Sequence, residues 1–224
     1  MATVVRSFAI QGIDGYPVDI EIKMLEGQPS ISIIGLGDQA VKEAAERIQA
    51  AIDESGYVFP KKRVIISLAP GDKKKSGSHF DLAMAVGVLC QNGDIGVKKL
   101  PDYGFIGELS LDGRLRACRG ILPMIISGQK RGIKKIIVPE ANFKEASLVH
   151  GVEILGFYDL IGVVRYLEGK TSGIEMHMEE NEKILEESER ILDFKDVKGQ
   201  DKLIEAVVLA AAGGHNMLMV GEPG

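Results

Sequence analysis

Apolar and polar residues alternate over Val18 to Leu25, with Val18, Ile20, Ile22 and Met24 on one face, and similar β-rich runs cover Thr3 to Ile10 and Ser30 to Ile34. Period-two alternation predicts half-buried strands. The pattern changes after Gly35-Leu36-Gly37. There Val41, Ala44, Ala45, Ile48, Ala51 and Ile52 recur at helical spacing, with Asp38 placed to cap the start and Gly56 to stop the end. Arg63 to Ala69 reads as a strand, and the polar loop Pro70 to Gly77 leads into a helix from Phe80 to Cys90. That helix is apolar almost all round, which predicts a central position.

Asp112-Gly113 lies between the strand-like runs Tyr103 to Leu109 and Arg114 to Ala117, a hairpin signal. Beyond it the pattern predicts a helix over Ile121 to Lys130, a strand over Lys135 to Val138 and a helix over Asn142 to Val149. A strand over Val152 to Gly156 and a helix over Tyr158 to Glu168 follow. Alternating strands and helices favour an α/β layer arrangement. From Thr171 to Arg190 the chain is acidic with no apolar face, so residues 171–190 read as a linker. His177, between two methionines there, reads as part of a solvated tail. An apolar helix up to Ala212 and a strand Met217 to Val220 close the chain.

Charge sharpens this division. Of the net −5, residues 1–170 carry 22 Lys and Arg against 20 Asp and Glu, whereas 171–224 carry 5 against 12. Two segments of different character follow from that split. At 224 residues with 45% hydrophobic side chains the chain can bury a real core, and no apolar run approaches the ~20 residues of a membrane span. The first residues carry no secretory pattern, so the expected location is the cytoplasm. Cys90 and Cys118 are far apart in apolar contexts and read as buried free thiols, with no metal-ligand spacing.

The chemistry is suggested at the chain end. Gly221-Glu222-Pro223-Gly224 follows the strand Met217 to Val220, where a P-loop would begin. In such a loop the glycines let backbone N–H groups close around phosphates, a lysine neutralises charge and a hydroxyl binds Mg²⁺. That lysine and hydroxyl would lie beyond Gly224, so this chain is expected to hold ATP and Mg²⁺ weakly or not at all. A glycine-rich turn alone is a weak signal. Upstream, Phe194-x-Asp196-Val197-x-Gly199-Gln200 followed by the helix, strand and loop resembles the opening of an AAA+ ATPase module. In that module Val197, Gly199 and Gln200 would lie on the adenine side.

The whole chain, across essentially all 224 residues, resembles the bacterial ComM/YifB family, which is labelled magnesium-chelatase-like. The residues that carry the resemblance are Gly35 to Glu43, Ile65 to Gly77, Phe80 to Ala83 and Gly107 to Gly113. It implies a Lon-protease-like β-α sandwich over residues 1–170 and a truncated start of an AAA+ module over 191–224. It also implies a hexameric ATP-driven ring acting on DNA, with branch migration during recombination of transforming DNA as its role.

Lon-type proteases pair a serine with a lysine base. By the same resemblance His79 stands where the serine belongs and Leu122 where the lysine belongs, so the domain is expected to be noncatalytic. A slip of one residue would place Ser78 at the nucleophile position, still without a lysine. Ser76, Ser78, His79 and Asp81 make a local Ser/His/Asp cluster, but a triad converges from separate segments. Asp81 is better placed to satisfy backbone donors at the helix start. His150 and His215 have no evident partner.

The basic clusters Lys61-Lys62-Arg63, Lys73-Lys74-Lys75, and Lys130-Arg131 with Lys134-Lys135 are candidates for weak, salt-sensitive contact with the DNA backbone. They read equally as solvated element ends. No aromatic interleaves with them in sequence, so base-specific recognition is not indicated. Against the DNA motor stand three alternatives: the ATPase subunit of a magnesium-chelatase-type metal-insertion complex, a Lon-type peptidase, and a protein-interaction module.

Overall fold

The alternating opening of the chain folds back on itself. The computed structural model describes residues 2–171 and 197–221; the linker expectation therefore falls, after Thr171, outside the described residues, as do His177, Glu222, Pro223 and Gly224. Strand β1 (Thr3–Gln11) pairs antiparallel with β2 (Asp14–Leu25), from Thr3 opposite Ile22 to Gln11 opposite Asp14. Gly12 supplies the positive φ, 65°, that the tight turn between them requires.

Five more strands join this hairpin: β3 (Ser30–Ile34), β4 (Arg63–Ala69), β5 (Tyr103–Phe105), β8 (Lys135–Pro139) and β9 (Glu153–Phe157). They form one mixed sheet in the order β3-β4-β2-β1-β5-β8-β9. Only the pairings of β2 with β1 and β4 are antiparallel; the other four are parallel. Strands β1, β4, β5 and β8 therefore all end on the same edge. A separate two-stranded ribbon pairs β6 (Glu108–Leu109) with β7 (Leu115–Arg116).

Helices cover both faces. On one, α2 (Ala44–Glu54), α3 (Asp81–Asn92) and α6 (Leu160–Leu167) share a core with Val18, Ile20, Ile22, Val64, Ile66 and Leu68, α6 lying by Leu155 and Phe157 of β9. Helix α3 is buried at every position from Asp81 to Cys90, as its all-round apolarity predicts. On the other, α4 (Ile121–Lys130) and α5 (Phe143–Ala146) enclose Phe8, Ile136 and Val138. Asp38 caps the short α1 (Gln39–Lys42) by accepting from the Val41 N–H at 3.0 Å.

Helix α4 approaches the sheet so closely that a Cβ at Gly15 would stand 2.0 Å from the Pro123 carbonyl oxygen. Gly15→Ala is therefore expected to cost about 1–3 kcal/mol, because helix backbone cannot yield as a side chain can. A melting temperature unchanged from wild type would show that α4 shifts freely.

Several elements of the first unit differ from the pattern reading. The run Tyr103 to Leu109 is split: β5 joins the central sheet, where Ile106 N–H donates to Ile137 O, and only Glu108 and Leu109 enter the hairpin. The helix expected over Asn142 to Val149 shrinks to a 3-10 turn and α5, and the Asn142 side-chain amide pairs with the backbone of Cys118, at 2.8 and 2.9 Å. Helix α6 starts at Leu160 because Asp159 is its cap.

Residues 177–224 form a second unit. Within it α7 (Asp201–Gly213) follows Gly199 at φ 74° and ends at Gly214 at φ 64°. The strand expected over Met217 to Val220 does not form: Leu218 and Val220 are 87% and 89% exposed. An extended segment becomes a strand only when a neighbour takes up its N–H and C=O groups, and the described residues supply none there.

Candidate functional site

Val197 is partly exposed, Gly199 bends the chain, and the Gln200 carbonyl accepts from Leu203 and Ile204 to start α7. Gly221 is open on all sides, with nothing near the position a Cβ would take. Among the described residues nothing closes around a nucleotide.

The first unit does hold a cleft, of about 400 Å³, lined by Ile10, Ser76, Gly77, Ser78, His79, Glu108, Ala117, Cys118 and Arg119. It lies outside the carboxyl ends of β1, β4 and β5, the edge where open α/β sheets receive ligands. Its floor is the β4–α3 loop, pinned against residues 36–38. Lys75 N–H donates to Leu36 O at 3.0 Å, Asp38 N–H to Lys75 O at 2.9 Å, and Gly77 N–H to the Asp38 carboxylate at 3.2 Å. Tyr16 adds a hydrogen bond from its hydroxyl to the Lys74 carbonyl at 3.0 Å.

Ser78, His79 and Asp81 do not form a triad, because each side chain is committed elsewhere. Ser78 Oγ donates to the Glu108 carboxylate, which also faces Arg116 at 3.5 Å. His79 Nε2 lies 2.9 Å from the Phe8 carbonyl, which can only accept, so this nitrogen carries the proton. Burial depresses the His79 pKa to about 4, leaving the ring neutral and a poor base near pH 7. Asp81 receives Arg47 through Nε at 2.8 Å and Nη2 at 3.1 Å, and the Leu109 N–H at 3.3 Å. Asp81 thus serves a guanidinium and the hairpin rather than the first turn of its own helix.

Cys118 is half-buried at the cleft rather than fully enclosed, and burial pushes its thiol up to about 12, away from thiolate chemistry. Leu122 sits half-buried on α4, and no lysine is among the residues lining the cleft.

The basic candidates separate to opposite ends of the sheet. Lys61, Lys62 and Arg63 enter β4, and Lys130, Arg131, Lys134 and Lys135 enter β8, so both groups occupy the amino-terminal edge. Lys62 is paired with Glu26 at 2.8 Å and Lys135 with Glu153 at 2.8 Å. Lys73 and Lys74 lie at the carboxyl edge, with Lys73 Nζ 4.6 Å from the centre of the Tyr16 ring. Lys75 departs from expectation: its side chain is fully buried, donating to the Pro70 carbonyl, and burial lowers its pKa. It is therefore withdrawn as a DNA-contact candidate, since the loop that carries it folds the chain over the ammonium group.

Pattern reading missed three exposed arginines beside the cleft. Arg114, Arg116 and Arg119 follow the Asp-Gly turn, and only the hairpin signal had drawn attention to that stretch. Their signal was the Arg-x-Arg-x-x-Arg spacing, too short to read as a basic run.

Similarity to known proteins covers both units. Residues 20–142 match the family profile described as subunit ChlI of Mg-chelatase, and residues 193–224 match a second described as magnesium chelatase, subunit ChlI. The chain is 36% identical over 224 residues to the protein YifB of Escherichia coli, covering 99% of this chain and 43% of that one. It is 33% identical over 222 residues to competence protein ComM of Haemophilus influenzae, covering 99% and 43%. Lon protease of Rhizobium meliloti is 26% identical over 149 residues, 63% of this chain and 18% of that protein, in keeping with a Lon-like first unit. The chain thus spans less than half the length of the YifB and ComM relatives it matches. With a ChlI profile matching more than half of its residues and YifB and ComM aligned along its whole length, the chain belongs to the magnesium-chelatase ChlI family of AAA+ ATPases, in the group that includes YifB and ComM.

Proposed function

We propose that this chain is the amino-terminal part of an AAA+ ATPase that acts on DNA as a ring, in a branch-migration or helicase-like role. Residues 1–170 form a noncatalytic domain for DNA or subunit contact, 171–190 a linker, and 191–224 the opening of the ATPase module. The observation that carries the reading is the unbroken similarity to competence protein ComM across both units. Support for a noncatalytic first domain comes from the cleft, where Ser78, His79 and Asp81 are committed to three different partners. ATP and Mg²⁺ belong to the complete protein, with Gly221 to Gly224 opening the phosphate loop and Val197, Gly199 and Gln200 on the adenine side.

Extending the chain through the ATPase module and measuring ATP hydrolysis with and without branched or single-stranded DNA, at low and high salt, tests this. DNA is expected to stimulate hydrolysis, and high salt to remove the stimulation. Hydrolysis indifferent to DNA would sink the motor reading. The metal-insertion reading is favoured by the name of the matching profile alone, and stimulation by porphyrin and a partner chelatase subunit would bring it forward. Peptide cleavage abolished by Ser78→Ala would revive the peptidase.

A further inference from the structure

At the carboxyl edge of the sheet, tertiary structure assembles what the sequence keeps apart. The loop from Arg114 to Arg119 presents three arginines. Arg114 and Arg116 side chains are 78% and 64% exposed, and Arg119 lines the cleft without a hydrogen bond or ion pair among the described residues. An aromatic ring joins them from another element. Tyr158, 60% exposed, follows β9, and its carbonyl accepts from Leu115 N–H at 2.7 Å, while Arg114 bridges to Asp159. Backbone pairing thus brings an exposed ring beside the segment that carries the cations, although they are more than 35 residues apart along the chain.

The carboxylates nearby are already committed. Glu108 faces Arg116 at 3.5 Å, Asp112 faces Arg114 at 3.4 Å, and Asp159 caps α6. Ion pairs this open to solvent add little to stability, so a polyanion can exchange for them. Guanidinium groups bind phosphate in a fork, and an exposed tyrosine offers a face to an unpaired base of any identity. A duplex keeps its bases stacked, whereas a single strand presents them.

We propose that Arg114, Arg116, Arg119 and Tyr158 form a binding surface for single-stranded nucleic acid on the first unit. The proposal rests on the DNA reading above and moves its point of contact away from the lysines of the amino-terminal edge.

Fluorescence anisotropy of a labelled oligothymidylate with the 224-residue chain, across a salt series, tests it. Arg119→Gln removes no hydrogen bond or ion pair among the described residues and should flatten the logarithmic salt dependence by about 0.7, one phosphate contact of a single strand. Tyr158→Ser should weaken binding about tenfold or more with the salt slope unchanged. A matched duplex should bind more weakly and be indifferent to Tyr158→Ser. Wild-type binding with neither variant affected overturns the proposal, as does binding lost on mutating Lys61 and Lys134 instead, which leaves the DNA reading standing. Absence of binding overturns it too, and the ATPase assay of the extended protein then decides the DNA reading separately. Equal competition by polyglutamate would point to an acidic protein partner and overturn it in that direction.

Discussion

Asp81→Ala is expected to lower folding stability by about 3–5 kcal/mol, read as a lower denaturant midpoint at unchanged slope. The carboxylate is fully buried, and its guanidinium partner Arg47 is 20% exposed. Removing the carboxylate takes from the guanidinium its hydrogen-bonded partner and leaves only the more distant Glu43 and Glu108, and breaking one side of a buried pair costs more than the pair contributes. Three elements meet here. Arg47 extends from α2, also donating to Ala40 O at 2.8 Å, Asp81 begins α3, and Leu109 N–H arrives from the hairpin. Asp81→Asn, which keeps an acceptor for Leu109, should fall between wild type and alanine. Replacing both partners, as Arg47→Met with Asp81→Leu, should cost less than Asp81→Ala alone. A loss below about 1 kcal/mol for Asp81→Ala would mean that water reaches Arg47 and that the pair is not buried in solution.

The second large effect is a pH dependence centred on His79. Its pKa falls from 6.5 to about 4 on folding, because burial disfavours the imidazolium more than the Phe8 carbonyl and Asp38 favour it. A depressed folded pKa means that the unfolded chain takes up the proton first. The contribution of His79 to stability is thus complete above pH 6.5 and is lost as pH falls toward 4. A fall from 6.5 to about 4 corresponds to about 3 kcal/mol. Asp81 acts in the opposite sense, since burial raises its pKa from 3.8 to about 6 despite Arg47. Its contribution is complete below 3.8 and is lost as pH rises to 6. The two overlap and partly cancel in the wild type, so a shallow profile is expected there. Only the difference between wild type and His79→Gln isolates the histidine. That difference should shift by about 3 kcal/mol in favour of the variant between pH 6.5 and 4; parallel stability curves would show that the ring is solvated.

Much of the sheet was legible because its signals are local. The alternation over Val18 to Met24 and the β-branched run Arg63 to Ala69 need only neighbours in sequence to be read, and both emerge as central strands. Asp38 was legible as a cap because a capping side chain reaches its own next turn. Glycine-rich and polar loops with family-specific residues also carried the resemblance that family profiles confirm.

What sequence pattern left undecided or misplaced has one physical origin. Lys75 follows two lysines in a polar loop and reads as solvated, yet its burial depends on a loop nearly forty residues earlier that accepts and donates across it. Met217 to Val220 has strand composition, but composition supplies no hydrogen-bonding partner. Ser78, His79 and Asp81 are close in sequence and separate in chemistry, because Glu108, Phe8 and Arg47 claim them from three other segments. Tyr158 and Arg114 are remote in sequence and meet through a hairpin folded onto the start of α6. The sequence by itself determined the elements, the α/β class and the family, since these follow from periodicity, capping and short motifs. Tertiary structure alone decided which charges are buried, which side chains share a cleft and which edge of the sheet offers arginines, because burial and pairing depend on segments that only folding brings together.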